Sequence, residues 1–148
     1  RLFSDSLDHL FPDPPADLSP VADYLDKFRL APDDVGGPAG TPRLRAVLLL
    51  EGGDGTDAIA ARPVTAVTLC MSLLRQSFSL NPADPVAAHE RLTAASAVTA
   101  AVPGFALSYP REFARLPEVV DLVRSTLDRV GAAAKQEMAA RSVLPGDI

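Results

Sequence analysis

Residues 43–51 read RLRAVLLLE, and this stretch decides the expected fold. A continuous apolar run of this length, bounded by Pro42 and Gly52, is typical of a strand that is covered on both faces. Such a strand usually lies in the centre of an α/β sheet. A second strand is expected at residues 105–109, because large and small side chains alternate there. We therefore predict an α/β fold with a small sheet whose central strand is 43–51.

Three further stretches predict helices that cover this sheet, at about residues 64–78, 85–101 and 117–140. The second of them begins at Asp84-Pro85, where the carboxylate can cap free N–H groups and the proline occupies a position that needs no donor. The first has apolar residues at the spacing of one helix face, namely Val67, Cys70 or Met71, Leu74 and Phe78.

The predicted central strand runs into a polar, glycine-rich turn. A hairpin is the favoured interpretation, with residues 58–62 returning as an antiparallel strand. A phosphate-binding loop is the alternative, but the turn lacks the lysine and the glycine spacing of such loops. Glu51, Asp54 and Asp57 are candidate ligands for one Mg²⁺, because hard cations prefer clustered oxygen ligands; the alternative is that they are solvated turn residues.

The first 42 residues differ in composition from the rest of the chain. They hold eight Asp, no Glu and three Lys or Arg, so they carry the whole net charge of −5, together with half of the 14 prolines. Ser19-Pro20 is typical of a helix start. We predict an acidic, proline-rich arm over residues 1–42 with a short helix at about 20–28, followed by a single α/β domain over 43–148.

The charge pattern also limits the classes of partner. The chain has no cluster of Lys and Arg, which argues against a nucleic-acid or an anionic membrane surface. Its longest apolar stretch falls short of the ~20 residues that span a bilayer. With the single Cys70 no internal disulfide can form, so a cytoplasmic location is the expectation.

Motifs for self-sufficient catalysis are missing. His89-Glu90 lacks the second histidine of a zinc-protease HExxH motif, because position 93 is Thr, and there is no GxSxG elbow for a hydrolase serine. Cys70 lies on an apolar helix face, where a small core residue is the favoured interpretation and a nucleophile the alternative. The motifs alone therefore do not decide whether the chain is an enzyme.

Two sets of residues are candidates for binding. The 12 arginines outnumber the two lysines, and Arg43, Arg45 and Arg75 are candidate phosphate or acceptor contacts or, alternatively, ordinary surface and ion-pair residues. The last helix carries an apolar stripe that either covers the sheet or binds a partner. The candidate partner surface on that stripe comprises Val120, Val123, Leu127 and Val130.

The order of these patterns resembles the C-terminal part of bacterial P-loop kinases of the HPr-kinase-like and phosphoenolpyruvate-carboxykinase-like superfamily. In that superfamily a hydrophobic strand ends in acid and glycine, and a short strand, two helices and a closing strand follow. The resemblance covers about residues 25–116. It is carried by LDKFRLAPDDVGG (Leu25–Gly37), PRLRAVLLLEGGDG (Pro42–Gly55), RPVTAVTLCMSLLRQSFSL (Arg62–Leu80) and AVPGFALSY (Ala101–Tyr109).

The resemblance implies ATP-dependent phosphoryl transfer to a protein, peptide or small molecule, with ATP and Mg²⁺ as cofactors. Such kinases hold the phosphates in a loop that contains Lys and Ser or Thr, and this loop is absent from the 148 residues. The resemblance therefore implies that a P-loop half precedes Arg1, or that the chain is a degenerate or split relative. No catalytic residue can be carried over from the family.

A second interpretation belongs to a different class. The chain would be a noncatalytic binding or assembly protein that engages a protein or peptide partner through its acidic arm and its last amphipathic helix. It would form either a homo-oligomer or a complex with another protein, without nucleotide. A hydrolase is a third interpretation, which the missing nucleophile motif disfavours.

Overall fold

The chain divides into two compact units, Arg1–Arg43 and Leu44–Ile148. The boundary in charge and proline content therefore falls at the division between them. The structure, a computed structural model, describes residues 2–14, 18–30, 41–51, 57–78, 81 and 83–142.

The first unit is a small antiparallel sheet with one short helix. Its middle strand, β3, pairs with β1 on one side and with β2 on the other. The ammonium group of Lys27 lies 4.2 Å from the centre of the Phe3 ring, within the range of a cation–π contact. The elements are β1 (Leu2–Phe3), α1 (Ser4–Leu10), β2 (Ser19–Ala22) and β3 (Leu25–Arg29).

The predicted short helix at about 20–28 is wrong, because this stretch forms the β2–β3 hairpin. Ala22 pairs with Leu25, so Asp23 and Tyr24 make a two-residue turn. Pro20 cannot donate to a sheet ladder, but β2 is an edge strand, where proline is tolerated. The sequence Ser-Pro fits both a helix start and an edge strand, and pairing with β3 decides between them. Helix α1 was not predicted.

The second unit has the predicted α/β fold, which the structure confirms. Helix α3 has the expected bounds, and its start is capped by Asp84, whose Oδ1 accepts hydrogen bonds from the Val86 and Ala87 N–H groups at 2.9 and 3.3 Å. A 3₁₀ turn at Phe113–Arg115 precedes the last helix. The elements are β4 (Val47–Glu51), β5 (Ala60–Val64), α2 (Ala66–Gln76), α3 (Pro85–Ala101), β6 (Gly104–Ser108) and α4 (Leu116–Ser142).

The strand order differs from the prediction. Strand β6 lies in the centre, parallel to β4 and antiparallel to β5, so β4 is an edge strand. The predicted hairpin after residue 51 is wrong, because β5 pairs with β6 and not with β4. Leu50 is 66 % exposed, whereas Ala106 and Leu107 of β6 are buried. Apolar content alone therefore identified the wrong central strand.

The core of the second unit forms where α2 packs on β6. Leu69 of α2 is only 1 % exposed, and it lies over Gly104 at the start of β6. A methyl group at position 104 would lie 2.8 Å from Leu69 Cδ2 and 2.9 Å from Val64 Cγ2, closer than carbon atoms pack. The glycine is therefore required for this close approach. The other buried residues of this unit include Ala95, Ala106, Leu107, Val119 and Thr126.

Helix α4 is hydrogen-bonded to the segment that precedes β4. The guanidinium of Arg45 donates a hydrogen bond to the Leu127 carbonyl at 3.1 Å and lies against Gly131, where any side chain would meet it. Val119 and Thr126, two turns apart on α4, are buried. Within the described residues, no helix has the length and apolar character needed to cross a membrane.

We expect the substitution Gly104→Ala to destabilise the protein by about 1–3 kcal/mol, because the added methyl group overpacks the site beneath Leu69. The shorter side chain in Leu69→Val removes the two Leu69 Cδ atoms and leaves only Val64 Cγ2 close to the added methyl group. The cost of the double substitution should therefore be clearly smaller than the sum of the two single costs, as measured by urea unfolding. Additive costs, or an unchanged midpoint for Gly104→Ala, would contradict this packing.

Candidate functional site

Helix α2 turns one side to the sheet and exposes the other. Thr65 caps its start by accepting a hydrogen bond from the Thr68 N–H at 3.2 Å. Leu69 faces β6, and Cys70 lies towards α3, with its sulfur 4.0 Å from the Ser96 hydroxyl. Since residues four apart share a helix face, Val67, Met71 and Arg75 lie together on the opposite side.

This opposite side is apolar and open to solvent. Val67 is 73 % exposed, Met71 is 49 % exposed, and Phe78, just beyond the helix end, is 84 % exposed. Arg75 is the only charged residue in α2, which contains no acid. We call Val67, Met71, Arg75 and Phe78 the α2 face. An apolar face of this kind is typical of an interaction surface.

A polar cluster lies at the carboxyl ends of the parallel strands β4 and β6. Glu51 and Ser108 end these strands in register, and Arg62 of β5 projects from the same side of the sheet. One oxygen of Glu51, Oε2, accepts hydrogen bonds from Arg62 Nη2 at 2.7 Å and from the Ser108 hydroxyl at 3.1 Å. In α/β sheets the carboxyl ends of parallel strands are the common location of ligand sites.

A second ion pair fixes the start of α4. Arg115 forms a two-pronged contact with Glu118, with Nε–Oε1 and Nη2–Oε2 distances of 2.6 and 2.9 Å. Its Nη1 donates to the Asp57 carbonyl at 3.3 Å, so the pair also holds the segment before β5. The hydrogen bond from Arg115 lowers the pKa of the Glu118 carboxyl, and the same bond raises the pKa of Arg115.

The three arginines singled out from the sequence lie on different elements. Arg43 is exposed at the end of the first unit, Arg45 is held by the Leu127 carbonyl, and Arg75 is exposed in the last turn of α2. An intramolecular contact thus accounts for Arg45. The role of all three as phosphate or acceptor contacts stays a prediction.

The predicted magnesium site is described only in part. Asp54 lies outside the described residues. Glu51 is engaged by Arg62 and Ser108, and the backbone carbonyl of Asp57 accepts a hydrogen bond from Arg115. Among the described residues no three acidic, histidine or cysteine side chains form a group that could hold a metal ion. The three-carboxylate site therefore stays a prediction.

The candidate partner surface on α4 is mostly turned inward. Val123, Leu127 and Val130 are half-buried, and Val120 is exposed. The fully buried positions, Val119 and Thr126, are neighbours of the predicted stripe and were not part of it. Among the described residues, Val67 and Met71 of α2 are more exposed than the apolar side chains of this α4 surface.

Sequence reasoning did not single out Arg62 or Ser108. Both residues lie in predicted strands, residues 58–62 and 105–109. Their proximity to each other and to Glu51 depends on β6 lying between β4 and β5. Had the parallel pairing of β4 and β6 been known, Glu51 and Ser108 would have been predicted to meet, because both end a strand. The exposure of Val67 and Met71 was also missed.

Comparisons with known proteins add no relative: the chain matches no protein-family model, no curated protein and no solved structure. The resemblance to P-loop kinases therefore remains a hypothesis.

The Arg115–Glu118 pair gives a pH-dependent prediction. Because the pKa of Glu118 is lowered in the folded state, the pair stabilises the fold above the carboxyl's unfolded pKa. This contribution is lost as the pH falls through the folded pKa. We expect Arg115→Gln to raise the pKa of Glu118 towards its ordinary value, measured by carboxyl ¹³C NMR titration.

The matched control is Arg111→Gln, which removes an exposed arginine that is not bonded to Glu118. It should leave the Glu118 titration close to that of the unsubstituted chain. Equal effects of the two substitutions would show that general charge, and not the two-pronged contact, sets this pKa.

Proposed function

We propose that this protein is a noncatalytic binding or assembly protein that docks another protein through the α2 face. The observation that carries the proposal is the exposure of Val67 and Met71 on the side of α2 opposite the buried Leu69, together with that of Phe78 just beyond the helix end. Leaving such side chains in water gains nothing for folding, whereas full burial of a fully exposed side chain of this kind contributes about 1.5–3 kcal/mol, and the half-exposed Met71 contributes less. The half-buried α4 stripe offers less free apolar surface.

The charge of this surface favours a particular kind of partner. Arg75 shares the face, and α2 has no carboxylate that a second copy could present to it. If two α2 helices paired antiparallel, each Arg75 would approach the positive N-terminal end of the other helix. We therefore propose as occupant an amphipathic segment of another protein that carries apolar residues and an acidic one.

A photo-crosslinking experiment tests this proposal. Benzoylphenylalanine is placed at position 71, and the matched control places it at position 86, where Val86 is also exposed but lies on α3. We expect one acidic, amphipathic partner segment to be crosslinked from position 71 and not from position 86. Equal crosslinking from both positions, or crosslinking only to copies of the chain itself, would contradict the proposal.

Binding of the crosslinked segment, made as a peptide, gives the quantitative test. The double substitution Val67→Ser/Met71→Ser should weaken binding at least about tenfold, because it removes central apolar contacts. It should change stability by less than about 0.5 kcal/mol, since both side chains are already exposed. Arg75→Glu should also weaken binding, and replacing the peptide's acid with lysine should restore it.

We also propose a second function, that of a cytoplasmic kinase-like protein that binds ATP and Mg²⁺ and transfers phosphate to an acceptor. The supporting observation is the parallel β4–β6 pair, with Glu51 and Ser108 at its carboxyl end. In nucleotide-binding α/β sheets the ligand binds at the carboxyl ends of the strands. No assignment of catalytic residues accompanies this proposal.

Thermal unfolding with nucleotide tests the kinase proposal. At 100 times its dissociation constant a ligand adds about 2.7 kcal/mol of stability, so millimolar Mg-ATP or Mg-ADP should raise the melting temperature by several degrees. Mg²⁺ alone and phosphoenolpyruvate are the controls. A melting temperature that nucleotide leaves unchanged would contradict nucleotide binding by this chain.

A further inference from the structure

We propose that Arg62 and Ser108 form a binding site for the oxyanion of a small ligand, and that Glu51 occupies this site from within the chain. The ligand oxygen would belong to a carboxylate or a phosphate, which share the chemistry that the two donors recognise. The kinase proposal draws on the same end of the β4–β6 pair, but this inference rests on the two donors alone and does not require nucleotide binding.

The geometry of the donors carries the first step. The Arg62 guanidinium and the Ser108 hydroxyl come from different strands, and both donate to the same atom, Glu51 Oε2. Their hydrogen bonds therefore converge on one point, where an anionic oxygen is held by a permanent cation and a neutral donor. Charge-assisted contacts of this kind are stronger than neutral hydrogen bonds.

The pairing of the strands carries the second step. Arg62 pairs with Ala106 and Ser108 pairs with Ala60 in the β5–β6 ladder, so both donors are anchored on neighbouring strands. Glu51 is the last residue of the edge strand β4. The sheet thus holds the backbones of both donors in a fixed register, and Glu51 reaches them from β4, on the other side of β6 from Arg62. An arrangement of fixed donors lowers the entropic cost of binding a ligand.

Exposure of the ion pair carries the third step. The side chains of Arg62 and Glu51 are 66 % and 47 % exposed, so a ligand can reach both. Exposed ion pairs contribute little to stability, and an external anion can therefore displace the internal carboxylate. Glu51 lowers the apparent affinity for such a ligand, because the site is free only in the fraction of molecules in which the pair is open.

An anion titration of the full chain tests the inference. Inorganic phosphate and succinate are the two probes, and the readout is the NMR signals of the Arg62 side chain and of the residue 108 amide. We expect Glu51→Gln to strengthen binding of at least one probe roughly two- to fivefold, the size of an exposed ion pair. The probe that responds identifies the ligand as phosphate-like or carboxylate-like.

The arginine variants separate a site from general charge. In the Glu51→Gln background, Arg62→Gln should weaken binding about tenfold or more, because a charge-assisted contact is lost. Arg124→Gln, which removes an exposed arginine of α4, is the matched control and should leave binding unchanged. Arg62→Lys keeps the positive charge, so this variant should retain more of the binding than Arg62→Gln does if the sheet tolerates a substitution at position 62. Equal weakening by Arg62→Gln and Arg124→Gln, or unchanged affinity in Glu51→Gln, would overturn the inference.

Discussion

The packing of Leu69 against Gly104 is the contact on which the second unit depends. Because position 104 has no side chain, α2 approaches the central strand closely enough to bury Leu69 almost completely. This contact fixes the rotation of α2 about its axis. A helix that turns Leu69 to the sheet must turn Val67 and Met71 to solvent, so the same contact creates both the core and the exposed α2 face.

Strand β6 contributes both to this packing and to the polar cluster at the carboxyl end of the sheet. Its first residue, Gly104, admits α2, and its last residue, Ser108, meets Glu51 at the carboxyl end of the parallel pair. Since β6 lies between β4 and β5, Glu51 on β4 and Arg62 on β5 approach Ser108 from opposite sides of β6. The two surfaces proposed for binding thus follow from the position of the single strand β6.

Local signals predicted much of this fold, and non-local pairing accounts for the errors. The α/β class and the start of α3 at Asp84-Pro85 were predictable, because capping and helix periodicity depend on neighbouring residues. Strand order was not, because it depends on the pairing of β6 with two segments that are distant in the sequence, and the apolar run of β4 does not reveal that pairing. The exposed side of α2 was also hidden, since Leu69 and Val67 give the helix apolar residues on both sides.

The rotation of α2 is the central claim, and solvent paramagnetic relaxation of methyl groups tests it most directly. With a soluble gadolinium agent added to the unsubstituted chain, we expect strong relaxation of the Val67 and Met71 methyl signals. The Leu69 methyl signals should be protected, as those of a side chain that is 1 % exposed. Strong relaxation of Leu69 together with protection of Val67 would show that the helix is turned the other way, and would contradict both the core and the α2 face.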